Sequence, residues 1–118
     1  MKHTLLNIAL IVLLSGCSNG MKYDVSKWND ESDRATYEYR NAMLDDLLEN
    51  HNPKGMNIRE LEELFGYIDY DSTSTGISFE VYQEWEFIGI DPTYTKYLNL
   101  RLNKHKIVDS VYFTEYAR

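Results

Sequence analysis

The chain has a single cysteine among 118 residues, only three histidines, and few basic residues: 12 Lys and Arg against 19 Asp and Glu, a formal charge of −7. One thiol cannot form a disulfide within the chain or build a cysteine metal site, so burial and hydrogen bonds have to hold the fold. No stripe of Lys or Arg interrupts the acidic background; phosphate backbones are repelled and nucleic acid is excluded as an expected partner. The same sign opposes electrostatic spreading on anionic lipid. A long hydrophobic run is missing as well. The longest, residues 5–14, is broken by Asn7, and a helix rising about 1.5 Å per residue would need roughly twice that length to cross ~30 Å of hydrocarbon.

That short run has another reading. Met1, Lys2 and His3 make a basic start before it, which is the layout of a secretory signal. Leu14, Ser15, Gly16 and Cys17 come next, a quartet that resembles the lipobox of bacterial lipoproteins. The resemblance implies cleavage between Gly16 and Cys17 and a diacylglycerol on the Cys17 sulfur. Two or three acyl chains on one residue anchor a protein to a bilayer, where one alone binds marginally. Ser18 lacks the aspartate that retains many such lipoproteins in the inner membrane of enteric bacteria, so the periplasmic face of the outer membrane is the favoured address. A buried N-terminal helix is the bland alternative, but this run has almost no polar face. Cleavage by the general signal peptidase, which needs a small-residue pair before the cut, is the other.

Residues 1–16 are thus expected to be a signal peptide, 17–27 the lipidated cysteine and a tether, and 28–118 one α+β domain. The tether is rich in Ser, Asn, Gly and isolated charges, and ten such residues extend at most ~35 Å. The remainder of the chain is large enough for one domain and too small for two. Removing the signal takes Lys2 away and leaves every tyrosine. No repeat or low-complexity tract is present.

A first helix is expected over residues 31–50. Tyr39, Met43 and Leu47 recur at helical spacing with Ala35 a turn earlier, and Pro53 lies just past the end. The second is signalled more sharply. Asn57 can cap it while Glu60 reaches back, Met56 and Leu61 are placed as a staple, and Gly66 comes directly after Phe65. Strands are expected where Ile77, Phe79 and Val81 alternate with polar residues, and where Leu98, Leu100 and Leu102 do. A polar turn at residues 103–105 leads to a last strand with Ile107, Val111 and Phe113 on one face. Residues 83–95 read as a long aromatic connection. Trp85, Phe87, Tyr94 and Tyr97 in or beside it are the candidate partner-binding residues, with closure of the core as the alternative role for Trp85 and Phe87.

Gly55, Met56, Asn57, Glu60, Leu61, Leu64, Phe65, Gly66 and Asp69 together resemble a stretch of small bacterial lipoproteins of the SmpA/OmlA, BamE-like type. The motif also occurs in the wider group of domains like the β-lactamase-inhibitor protein. Residues 90–92 and the final strand are similar to the tails of related lipoproteins. Ile68 stands where the family usually has proline. The resemblance implies two helices packed on one face of a three- to four-stranded antiparallel sheet, and an accessory role in an envelope protein assembly.

Signals of chemistry are few. Asp69, Asp71, Thr73 and Glu80 fall at positions 1, 3, 5 and 12 of a calcium loop, but Ser74 replaces the glycine that such a loop needs. A solvated turn is the better reading. The Asp-x-Asp-x-Thr pattern of a phosphotransferase would require a much larger doubly wound domain. After signal removal only His51 and His105 remain, and neither belongs to a nucleophile–base pattern. No catalytic residue, metal or cofactor is expected, and no small-molecule substrate is inferred. The expected function is that of a non-catalytic, lipid-anchored module that binds an envelope protein. An inhibitor or immunity-like protein that blocks a periplasmic or secreted enzyme is the alternative, and a small hydrolase a distant third.

Overall fold

The computed structural model describes residues 20–32, 36–86 and 91–117. Gly16, Cys17, Ala35 and Phe87 lie outside the described residues, and so does the expected signal. Among the described residues the elements are three helices, α1 (Val25–Trp28), α2 (Arg40–Asn50) and α3 (Ile58–Phe65), then three strands, β1 (Gly76–Trp85), β2 (Pro92–Leu102) and β3 (Val108–Ala117). The strands form one antiparallel sheet in the order β1-β2-β3. The chain is therefore α+β.

Helix α3 forms where every local signal agrees. Asn57 Oδ1 accepts from the Glu60 N–H at 2.9 Å, and the Asn57 N–H donates to Glu60 Oε1 at 3.1 Å, a reciprocal cap. Gly66 ends the helix at φ 82°, ψ −142°, a conformation that a side chain strongly disfavours. The Asn29 Nδ2–H then donates to the Phe65 carbonyl at 2.9 Å. Leu61 and Phe65 point inward and are fully buried.

Helix α2 starts at Arg40, later than the expected residue 31. Before it, the Ser32 N–H donates to the Thr36 carbonyl, and the two hydroxyls bond each other, local bonds that compete with a helical ladder at those two residues. Its core stripe is as the spacing required, with Met43 and Leu47 fully buried.

The tether ends earlier than expected. The Met21 N–H donates to the Ala42 carbonyl at 2.8 Å, and the Tyr23 N–H donates to Asp46 Oδ2 at 2.7 Å. Asp24 caps α1 by accepting from the N–H groups of Ser26 and Lys27. Trp28 is fully buried, with its ring 5.3 Å from Phe65, 5.5 Å from Phe79 and 5.7 Å from Tyr23. Two aromatic residues in a polar stretch outweigh its average composition, since each can bury on the order of 150–250 Å².

Arg40 ties these pieces together from within. It is only 5 % exposed, and its guanidinium donates to the carbonyls of Trp28 (2.7 Å) and Glu80 (2.9 Å). The guanidinium carbon sits 3.4 Å from the Tyr37 ring centroid and 4.9 Å from that of Trp28. Burial lowers the Arg40 pKa, and the nearby Tyr37 and Glu80 oppose that shift. Arginine keeps its charge through such a shift.

In the sheet, Ile77, Phe79, Val81, Leu98, Leu100, Leu102 and Val108 supply the strand share of the core. Two irregularities change the expected facing. Between Glu80 and Tyr82 the register with β2 shifts, so that Val81 is an extra residue, and it is buried. Between Arg101 and Leu102 it shifts again, placing Val108, and not Ile107, opposite Leu102. Val111 and Phe113 do share the side of Leu100 and Leu98, but Phe113 is 38 % exposed. Among the described residues no helix is long and apolar enough to cross a membrane.

Candidate functional site: the open face of the sheet

Residues 83–95 are not a long connection. β1 continues to Trp85 and β2 begins at Pro92, so the expected patch obeys strand alternation, in which neighbours point to opposite faces. Register sorts the residues. Thr95 lies opposite Gln83 and Tyr116, Tyr97 opposite Glu80 and Thr114, and Asn99 opposite Ser78 and Tyr112. These residues share the face turned away from the buried leucines of β2.

Hydrogen bonds order this face. The Ser78 hydroxyl donates to Asn99 Oδ1 at 2.7 Å, while Asn99 Nδ2–H donates to Thr114 Oγ1 at 2.9 Å and to the Tyr112 carbonyl at 3.4 Å. Asn99 is thereby 8 % exposed although it faces outward, and one side chain ties all three strands. Beside it, the Tyr97 and Tyr116 rings meet edge to face at 5.7 Å. Ser78, Tyr97, Asn99, Thr114 and Tyr116 line a shallow depression of about 360 Å³. The Trp85 indole N–H donates to Gln83 Oε1 at 3.2 Å, which holds Trp85 to the same face. At the far end Arg101 and Asp109 form an exposed ion pair at 2.8 Å.

Tyr94 does not join Trp85 and Tyr97. It lies opposite Glu84 and Ala117 on the other face, with its ring 5.9 Å from Tyr82. Its hydroxyl bonds the Glu115 carboxylate, which pushes the phenol pKa up. The structure therefore sets Trp85 and Tyr97 apart along one face and Tyr94 on the other; Phe87 is outside the described residues. Sequence pattern alone does not single out Asn99, Tyr112, Thr114 and Tyr116. The alternation of Ser110, Tyr112, Thr114 and Tyr116 along β3 carries the signal, but the pairing with β2 is needed to read it.

The remaining candidates make local contacts. Asp71 Oδ1 accepts from the Thr73 N–H at 2.8 Å and the Thr73 hydroxyl at 2.6 Å, which hold its carboxyl below the usual range. Its carboxylate thus closes its own turn. Glu80 sits within β1, where burial raises its carboxyl pKa and the Arg40 charge opposes the rise. Among the described residues no three His, Cys, Asp or Glu side chains come together as a metal site. His51 lies 3.7 Å from Asp46 and 5.7 Å from the Tyr23 ring, at the end of α2. A second depression, about 380 Å³, is lined by Gly20, Glu38, Asn41, Ala42, Asp45 and Tyr82.

The open face offers hydroxyls, one fixed amide and aromatic rings, without a carboxylate or imidazole lining its depression. Tyr-rich surfaces of this composition present large, stiff contact area together with hydrogen-bonding tips, which suits macromolecular contact. No protein-family model, no curated protein and no solved structure matches the chain.

Proposed function

We propose that the chain is a lipid-anchored lipoprotein of the cell envelope whose domain is a non-catalytic, protein-binding accessory or scaffold module. Its contact surface is the open face of the sheet. The observation that carries this reading is the ordered row Ser78, Asn99, Thr114 beside the paired rings of Tyr97 and Tyr116. Aromatic residues set in a pre-ordered polar frame lose little entropy on binding. The anchor is supported by the basic start, the apolar run and the quartet ending at Cys17, and Ser18 favours the outer membrane. In the BamE-like reading, α2 and α3 form a layer on one face of the sheet and leave the other for a partner.

Two measurements on protein from its native membranes test the proposal. Intact mass should give Cys17 as the first residue, carrying a diacylglycerol; a free thiol with the leader still attached contradicts the anchor. Tyr97→Ala combined with Tyr116→Ala should abolish co-isolation of the envelope partner while leaving the circular dichroism of the domain unchanged. Undiminished co-isolation contradicts the assignment of the face.

A second reading, an inhibitor or immunity-like protein, is favoured by the charge of −7. That charge would steer the same face toward a basic enzyme. Recovery of a secreted hydrolase or toxin in place of assembly subunits would select it.

A further inference from the structure

A three-stranded open sheet has two edges, and here they differ. The β1 edge is interrupted by two register shifts, and the Arg40 guanidinium donates to its Glu80 carbonyl. Bulges and side-chain capping of this kind close an edge to further pairing. Among the described residues, the β3 edge is covered only at its start, where the Gly55 N–H donates to the Val108 carbonyl and the Val108 N–H to the Met56 carbonyl. Past Val108, among the described residues, no backbone–backbone hydrogen bond joins β3 to any element but β2. Between Ser110 and Ala117 the pairing with β2 runs without a shift, so this stretch presents a regular row of outward backbone groups.

The usual protections are missing from this edge. It has no Lys, Arg or Pro between Val108 and Ala117, and it carries exposed aromatic side chains on both faces: Tyr112 (48 %) and Tyr116 (63 %) on the open face, Phe113 (38 %) on the other. Its two acids are compensated within the chain. Arg101 holds Asp109 at 2.8 Å, and Glu115 lies opposite Lys96 and accepts from Tyr94. The edge is therefore free of the excess negative charge that the molecule as a whole carries.

We propose that β3 pairs antiparallel with β3 of a second copy of this chain, about a two-fold axis at Phe113, to give one continuous six-stranded sheet. The register is set by side-chain facing and charge. With Phe113 opposite its own copy, Tyr112 faces the copy's Thr114, Ser110 faces the copy's Tyr116, and Glu115 faces the copy's Val111. Residues that share a face in one protomer then share it across the dimer, as a continuous sheet demands. No acid lies opposite an acid. Centring the axis on Tyr112 instead would set Asp109 against the copy's Glu115, and centring it between Tyr112 and Phe113 would join the open face of one protomer to the opposite face of the other. In the chosen register the copy's Ser110, Tyr112 and Thr114 extend the open face, so each protomer adds side chains to the other's contact surface. The pairing stands on the edge itself and not on what the open face binds.

The test uses the full-length chain. Cross-strand Cα atoms in antiparallel pairs lie about 4.5–5.5 Å apart, within disulfide reach. In a Cys17→Ser background, Phe113→Cys should give a covalent dimer on mild oxidation, while Ser110→Cys should not. Absence of the Phe113→Cys dimer, or equal cross-linking through Ser110→Cys, overturns the register. Phe113→Lys and Phe113→Glu should each weaken self-association in sedimentation velocity by more than about tenfold, because like charges would then meet across the axis. Mixing the two should restore it as a heterodimer; a mixture that stays monomeric overturns the two-fold. Raising salt should tighten the wild-type dimer by screening its net charge. A wild-type chain that is monomeric throughout, or one whose association weakens with salt as pairing to a basic strand would, overturns the choice of a second copy.

Discussion

Replacing Arg40 tests how the N-terminal segment, α2 and the sheet are locked together. The guanidinium donates two charged hydrogen bonds, to Trp28 O and Glu80 O, and stacks on Tyr37. Arg40→Ala removes both bonds, each worth about 1.5–3 kcal/mol for a charged donor. It also removes cation–π contact of roughly 0.5–2 kcal/mol. Relief of the desolvated charge offsets part of this, since a buried charge is costly to hold even when it is bonded. The net expectation is a loss of about 3 kcal/mol, a large share of the ~5–15 kcal/mol that stabilises a domain. Arg40→Met keeps the volume against Tyr37 and Trp28 but removes the charge and the donors, and should recover about half of that loss. The assay is urea unfolding monitored by tryptophan fluorescence, with Trp28 as the probe in the core. An Arg40→Ala variant within about 0.5 kcal/mol of the parent, or an Arg40→Met variant less stable than Arg40→Ala, would mean that the guanidinium does not lock these elements together.

Single contacts set the other expectations. Trp28→Ala should cost about 3–5 kcal/mol in urea unfolding followed by circular dichroism, because a fully buried indole leaves a cavity; a loss below about 1 kcal/mol would mean that residues 21–28 are a tether after all. Gly66→Ala should cost about 1–3 kcal/mol, as its Cβ would also lie 3.0 Å from Asn29 Nδ2; thermal unfolding checks this, and an unchanged midpoint contradicts it. Asn57→Ala removes one half of the cap of α3 and should cost about 1 kcal/mol, read as a lower unfolding midpoint. Asp46 is held below the usual carboxyl range, first by the Tyr23 N–H and then by Asn50. A depressed folded pKa contributes stability above the unfolded pKa that is lost as pH falls through the folded one. Asp46→Asn should therefore flatten the acid limb of the stability profile, and an unaltered limb would contradict the role of that contact.

The parts of the fold that can be read from sequence are those whose causes are local. The Asn57–Glu60 cap, Gly66 after Phe65, and the alternating Leu98, Leu100 and Leu102 state their roles within a few residues. The extra residue at Val81 and the shift that exchanges Ile107 for Val108 arise from pairing between strands, to which a single-strand pattern is blind. Composition averages hide one anchoring ring, so Trp28 reads as the domain edge and the residues before it as a tether. The contact face is the least legible part. Tyr94 and Tyr97 look like loop neighbours, whereas strand alternation sends them to opposite faces, and Asn99, Tyr112, Thr114 and Tyr116 meet only after three strands are aligned.

Site-specific photo-cross-linking in the native envelope tests most directly whether the protein works by contact through the open face. A photoreactive residue in place of Tyr97 should label one envelope protein reproducibly, and one in place of the exposed Tyr67, 86 % accessible and outside the strands, should not. Labelling from position 67 with none from position 97 would contradict the account.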